Sequence, residues 1–427
     1  MPPARLRLLA VATCLWVLLT GAAQSRAEDD GGEYSPLRFA GYGTLSRSWD
    51  DRDDLAAIRD FTQRPVDGPA TGPNWRMDSR LGMQLAYRFS PALEGVIQAL
   101  FRDQIVHDFG GAIELAYLEY QAHADYKLRL GRVGYDTFLM SDHRNLGFAY
   151  PWVRPPRELY SWLPLFYLNG ADLTYTAQRE DAHWRIRAQV GQSSYYIPMG
   201  DENFHFEIEP ALSLTLQRES GPWRMKAGLS RLRSVKEAAP LAQLHAGLEA
   251  LAGAALPGIS AEAARLRQET SFRDTSIDYF TLGAAYDDGT WLAQAEVLKS
   301  RTSTAIETAS WAGYAALGRR FGNFTPYAIL SASRPDKTTL KPDGDWGTIG
   351  QAGFQNVAYH TANSTRQDQE TLSLGVRWEV DQRAALKLQL DHARIHPQGY
   401  VLWFRELATN PRASRVNLLT LSLDFIF

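Results

Sequence analysis

From Leu37 to the end of the chain, apolar and polar side chains alternate with a period of two, the repeat of a β-strand whose two faces meet different surroundings. The clearest stretch is 79–89: Leu81, Met83, Leu85, Tyr87 and Phe89 share one face, and Arg80, Gly82, Gln84 and Arg88 the other. The split returns in Trp184, Ile186, Ala188 and Val190 against Arg185, Arg187 and Gln189, and in Leu372, Leu374, Val376 and Trp378 against Ser373, Gly375 and Arg377. At the end of the chain Leu419, Leu421, Leu423, Phe425 and Phe427 alternate with Thr420, Ser422 and Asp424. A soluble sandwich produces this pattern once or twice, whereas a transmembrane β-barrel repeats it in segments of roughly ten residues.

The connections alternate as well. Short polar turns fall at 90–92, 123–125, 180–182, 219–222, 287–289, 322–323 and 381–383. Longer stretches lie near 49–76, 103–111, 135–168, 193–206, 234–273, 302–307, 334–366 and 395–413. Interleaved in this way they predict an all-β, antiparallel transmembrane barrel of about sixteen strands over 37–427, with short periplasmic turns and long extracellular loops. Tyr87, Phe89, Tyr120, Tyr126, Trp291, Phe321, Phe324 and Trp378 stand beside the short turns, where a barrel in lipid carries its aromatic girdle. One external loop, about 234–273, breaks the strand pattern. Leu241, Leu244, Leu248 and Leu251 recur at helical spacing and Pro257-Gly258 interrupts them, which predicts two short helices acting as a packed cap, a lid or a plug.

Composition removes alternatives. The chain has 427 residues, a formal charge of −3, nine histidines and one cysteine. A mean hydropathy of −0.31 excludes a bundle of apolar helical spans. The balanced charge gives no electrostatic reason to expect nucleic acid as a partner. Arg5 and Arg7, the apolar run 8–19 and the small-residue stretch ending Ser25-Arg26-Ala27 read as a signal peptide over 1–27, followed by a periplasmic segment over 28–36. Cys14 falls inside that signal, so the mature chain is expected to use no disulfide or thiol chemistry.

Placing each polar face toward the lumen gives a basic wall of Arg80, Arg88, Arg102, Lys127, Arg129, Arg185 and Arg187, continued by Arg224, Lys226, Arg377 and Lys387. The acidic set on the same faces is smaller: Glu94, Glu119, Asp172, Glu209, Glu296, Glu379, Asp391 and Asp424.

The first strand, Leu37-Arg38-Phe39-Ala40-Gly41-Tyr42-Gly43-Thr44-Leu45, resembles the opening strand of the porin superfamily of Gram-negative outer membranes. Phe425 and the terminal Phe427 are similar to its C-terminal assembly signal, Leu128–Arg132 to its fifth strand and Asn169–Tyr175 to its sixth. The resemblance covers about 30–427 and implies that a third loop, about 135–168, folds inward and narrows the pore. On that model Asp136, Asp142, Arg144, Arg154, Arg157 and Glu158 are the candidate constriction residues. The loop lacks the acidic Pro-Glu-Phe-Gly-Gly type motif of the general porins and looks more like a less-characterised branch, so fine selectivity is not carried over. The resemblance also implies a homotrimer, assembly-machinery recognition of the C-terminal Phe, and contact with outer-membrane lipid and lipopolysaccharide.

No enzyme is expected. Only His392 and His396 have i,i+4 spacing, and they straddle a strand end, so no metal or cofactor site is predicted. Phosphate loops and nucleophile elbows are absent, and Asp136, Ser141, Asp142 and His143 are merely adjacent in sequence, which is not catalytic geometry. The expectation is a water-filled outer-membrane channel for passive diffusion of small polar solutes and ions, weakly preferring anions. The alternatives are a substrate-specific channel, with Tyr117, Tyr150, Trp152, Trp162 and Tyr167 as an aromatic path, and an occluded receptor or structural barrel.

Overall fold

A computed structural model describes residues 36–52, 54–63, 74–105, 109–161, 165–199, 202–404 and 413–427. The expected signal peptide with Cys14, nearly all of the 28–36 segment, and Trp162 lie outside the described residues.

Sixteen strands close into one antiparallel barrel. They are β1 (Leu37–Asp50), β2 (Arg80–Ser90), β3 (Leu93–Arg102), β4 (Ile113–His123), β5 (Tyr126–Gly134), β6 (Tyr167–Arg179), β7 (Ala182–Met199) and β8 (Glu202–Ser220). The second half holds β9 (Trp223–Ser234), β10 (Ser276–Asp287), β11 (Trp291–Thr302), β12 (Ser310–Arg319), β13 (Phe324–Pro335), β14 (Gln367–Glu379), β15 (Ala384–Tyr400) and β16 (Ser414–Ile426). Polarity runs opposite to that of a soluble protein. Leu85, Ile97, Leu118, Leu214, Leu282, Leu330 and Leu374 are exposed on the outside, while Thr44, Asp172, Thr215, Lys387 and Asp424 are buried inside. That is the wall of a transmembrane barrel, with lipid on every second residue.

The seam between β1 and β16 pairs Tyr42 with Ile426 and continues to Asp50 with Leu418. Its rim is shaped by glycine. A Cβ on Gly41 would lie 2.2 Å from the Phe427 ring and one on Gly43 2.4 Å from the Phe425 ring, so each ring occupies the space a side chain there would fill. Gly41 and Phe427 exchange N–H···O bonds of 2.9 Å in both directions.

Outside the membrane the sequence reading needs two corrections. The stretch 193–206 is no loop, because β7 runs to Met199 and β8 starts at Glu202, pairing to the last residue. Stacked pairs hold this tall hairpin together: Tyr195 on Phe206 at 5.2 Å and Tyr196 on His205 at 4.5 Å. A register shift between Gly191 and Ser193 offsets the alternation above it, leaving Glu209, expected in the lumen, exposed.

The 234–273 segment holds α1 (Ala242–Gly253) and α2 (Ile259–Glu269), parted at Pro257-Gly258. A third helix, α3 (Ala352–Ala362), was not anticipated and comes from the next long loop. One carboxylate joins the two loops. Glu262 accepts from the backbone N–H groups of Asp343 (3.1 Å) and Gly344 (3.0 Å), Trp346 Nε1 (2.9 Å), Gln355 Nε2 (3.1 Å) and Tyr359 Oη (2.5 Å). Beneath this lid an unbroken apolar core runs from Leu248, Ile259 and Trp346 down to Phe138, Trp152 and Leu159 of the inward loop.

Candidate functional site

The described residues of the segment linking β5 to β6, 135–161 and 165–166, lie inside the barrel and are fastened to the wall by charges. Asp136 pairs with Lys226 of β9 and sits 3.4 Å from Arg187 of β7, while Thr215 of β8 donates to it at 3.1 Å. Arg187 also pairs with Asp172 at 2.5 Å and with Asp142 at 3.0 Å. Across the lumen, Arg154 donates to Asp78 (2.7 Å), Asp391 (2.6 Å) and Thr420 (2.6 Å), and Arg59 supports Asp78 at 2.7 Å. Glu158 accepts from Ser331 (2.7 Å), Gln369 (2.6 Å) and Thr371. Lys387 binds Asp424 at 2.9 Å and the loop carbonyls of Gly147 (2.6 Å) and Trp152 (2.9 Å). Buried charges are tolerated when paired or hydrogen-bonded: Asp78, Asp136, Asp391 and Asp424 each meet a cation, and Glu158 is held by three side-chain donors.

Of the six loop residues singled out from the sequence, Asp136, Arg144, Arg154, Arg157 and Glu158 are buried, and only Asp142 reaches solvent, with 53% of its side chain accessible. Arg157 donates to the Ile58 carbonyl at 2.9 Å and lies 4.3 Å over the Trp403 ring; burial, with Arg154 beside it, pulls its pKa down to about 10. Asp142 gains pKa from burial, but Arg187 and Lys226 outweigh that and hold it well below the usual carboxylate range. Burial also lowers His143 to about 4, helped by Arg224 and Lys226, so it is neutral at physiological pH.

With the loop fastened in this way, much of the wall from β7 round to β1 is covered: Gln189, Ser213, Thr281, Ser331, Gln389 and Thr420 are buried. Solvent reaches lumen-facing side chains on the arc β2–β5, including Gln84, Gln98, Tyr117, Glu119, Lys127 and Arg129. Lys127 and Arg129 share Glu119 at 2.8 and 2.9 Å, and Arg88 lies 3.7 Å from Glu94 at the periplasmic end. At the extracellular end of the arc is a cavity of about 240 Å³ lined by Arg102, Glu114, Arg132, Phe166 and Tyr167 among others. Here guanidinium groups lie over rings, cation–π contacts that hold them in place. Phe166 lies between Arg102 (4.1 Å) and Arg144 (3.9 Å), and Arg132 covers Tyr167 at 4.0 Å.

Of the basic wall residues, Arg102, Lys127 and Arg129 border this slot and Arg88 lies at its foot. Arg80 is buried against the loop, with Tyr150 Oη 3.3 Å away, Arg187 is one of the fasteners, and Arg185 is half-buried on β7. Tyr117 and Tyr167 border the open arc, while Tyr150 and Trp152 pack in the sealed core. Arg59, Asp60, Asp78, Glu114, Arg132 and Phe166 were not singled out. Most of them occupy loops or strand ends, where no alternation marks an inward residue. Among the described residues, no three His, Cys, Asp or Glu side chains converge as a metal site would require.

No protein-family model and no curated sequence matches the chain. Solved structures do. OmpT, an outer membrane protein of Vibrio cholerae, superposes with a TM-score of 0.51 at 12% identity, covering 94% of this chain and 100% of that one. The anion-selective porin of Comamonas acidovorans gives 0.51 at 10% identity over 92% and 99% of the two chains. The outer membrane channel DcaP of Acinetobacter baumannii gives 0.53 at 11%, again over 92% and 99%. At these identities the likeness establishes a porin-like barrel fold.

Proposed function

We propose that the chain is an outer-membrane channel through which small polar solutes diffuse passively, anions in preference, along the slot between the β2–β5 arc and the inward loop. The observation that carries this reading is the division of the lumen: among the described residues the loop covers most of the wall from β7 round to β1 and leaves solvent on the arc that carries Arg88, Arg102, Lys127 and Arg129. Here Arg88 lies beside Glu94, Arg102 pairs with Asp60, and Lys127 and Arg129 share Glu119, so charge filters what enters while the gap filters by size. The fold shared with a porin titled anion-selective supports the same sign. Export by a cleaved leader, membrane insertion through recognition of the C-terminal Phe, and a trimeric assembly belong to this proposal.

Planar-bilayer recording tests it. Discrete ohmic steps are expected, with a reversal potential in a salt gradient on the anion side, moving toward cations in Arg102→Ala with Arg129→Ala. Folded protein that never conducts would refute the channel. The stacked Arg102–Phe166–Arg144 vestibule favours a second reading, a channel specific for one class of organic anion. Saturable block by one class, and by no other of equal size, would select it.

A further inference from the structure

At one place the strands of the barrel do not end together. β6 makes its uppermost pairing with β7 between Asn169 and Gln192, and β7 runs on to Met199 with β8 alone beside it. Residues 193–199 therefore keep one edge without a strand neighbour among the described residues. That edge turns toward the vestibule. Ser193, Ser194, Tyr195 and Tyr196 all border the cavity of about 240 Å³, and because successive side chains point to opposite faces, what four consecutive residues offer it together is their backbone.

The direction of the backbone groups agrees. The Ser194 carbonyl points out of the edge, where the Tyr167 hydroxyl donates to it at 3.0 Å. Backbone groups return to the same side at every second residue, so Tyr196 presents its N–H and C=O there and Pro198 its C=O. A proline fits this position, since an edge strand needs no ladder donor from it. Among the described residues no other backbone meets Tyr196 from this side.

An open edge is a template for an extended peptide, which gains main-chain hydrogen bonds from it. The rest of the cavity decides which peptide end it takes. Arg132, Asn169 and Gln192 stand in one row across β5–β7, so Arg132 lies at the level where the edge opens. Its Nε donates to Asn169 at 3.0 Å and its Nη1 to the carbonyls of Gly110 (3.1 Å) and Ile113 (2.7 Å), all neutral, and it makes no ion pair among the described residues. A carboxylate accepts the remaining guanidinium donors directly. The Ser193 hydroxyl is buried on the same wall with no hydrogen-bond partner among the described residues, and Phe166, Tyr167 and Tyr195 supply rings for small apolar side chains.

We propose that the vestibule binds short peptides in extended form, the peptide adding a strand to β7 at Tyr196 and laying its C-terminal carboxylate on Arg132. As a statement of the solute class that the channel carries, this rests on the reading above.

The test is isothermal titration calorimetry of the full chain, folded in detergent, with trialanine as the probe, together with trialanine block of the current in planar bilayers. Saturable binding and block are expected. Methylating the middle amide nitrogen removes one backbone donor and keeps both terminal charges, and amidating the C-terminus removes the carboxylate; each should weaken binding at least about tenfold. Tyr196→Pro should weaken trialanine to a similar degree, and Arg132→Gln should abolish the preference for trialanine over its amide. Arg231→Gln, on the outer face of β9 and paired there with Asp278, should leave binding unchanged. Heat-modifiable gel mobility confirms that each variant is folded, and the methylated peptide carries the test if Tyr196→Pro does not fold. Equal binding of the methylated peptide, butyrate held as tightly as trialanine, or an undiminished carboxylate preference in Arg132→Gln would each overturn the proposal. Protein that conducts without binding trialanine refutes the site and leaves the channel; protein that binds trialanine and never conducts refutes the channel and leaves the site.

Discussion

Replacing Arg154 by Met probes what holds the inward loop. The guanidinium is 2% exposed and ties the loop to Asp78, Asp391 and Thr420. Methionine keeps much of the volume and removes every donor. Asp78 retains Arg59, but Asp391 is left with Gln389 as its hydrogen-bond donor and, among the described residues, no cation within ion-pair distance. Breaking a buried pair from one side destabilises by about 3–5 kcal/mol, and because one of the two carboxylates keeps a partner the lower half of that range applies. At an unfolding entropy of about 2.1 cal/mol/K per residue, a barrel of this size should lose about 4 °C in its apparent midpoint. The functional readout is sharper. A loop no longer fastened near the seam should give larger and noisier single-channel steps, and Asp391→Asn in the Arg154→Met background should recover part of both losses. Unchanged midpoint and unchanged step size would refute the view that this ion network seats the loop. Acid is not an equivalent perturbation. Burial raises the Asp78 pKa, but Arg154 and Arg59 outweigh it and hold the carboxyl below its usual range, so its contribution is present above the unfolded pKa and is lost only as pH falls through the depressed folded value.

Three further outcomes are expected. Glu262→Ala strands five donors that converge on one buried carboxylate and should destabilise the lid by about 3 kcal/mol or more, read as faster proteolysis within 234–273 and 336–366 while the barrel stays folded. His143, lowered to about 4, should add a positive charge beside the slot as pH falls through that value, raising anion preference below about pH 4; because its folded pKa is depressed, protonation also opposes the seated loop from about pH 6.5 downward. Gly41→Val with Gly43→Val places side chains where the Phe427 and Phe425 rings lie and should cut the yield of heat-modifiable barrel several-fold, whereas Gly253→Ala, where an added Cβ meets nothing, should not.

Strand number, order and inward face were legible because a lipid exterior and a polar interior impose alternation on every spanning segment, as in Arg80 through Arg88. The periplasmic turns were legible from their polar punctuation. Above the membrane that rule lapses. Tyr195, Tyr196, His205 and Phe206 pair by stacking, which leaves no periodic trace, and α3 begins in a polar loop with no helix signal strong enough to separate it from coil. The inward loop's charges could be named but not sorted. Whether Arg154 faces water or Asp78 depends on where two segments about 75 residues apart in sequence meet, and local pattern does not encode that.

Thr44 and Asp424, whose side chains touch at 2.5 Å across the seam, stand 380 positions apart, and Asp424 also holds Lys387, which grips the inward loop through Gly147 and Trp152. Lys387 and Asp424 stand on the neighbouring strands β15 and β16, so this grip is built within the last strand pair, and closing the seam adds Thr44 to it. The two ends of the barrel therefore meet at the same carboxylate that helps seat the loop, and one side chain serves both the wall and its interior.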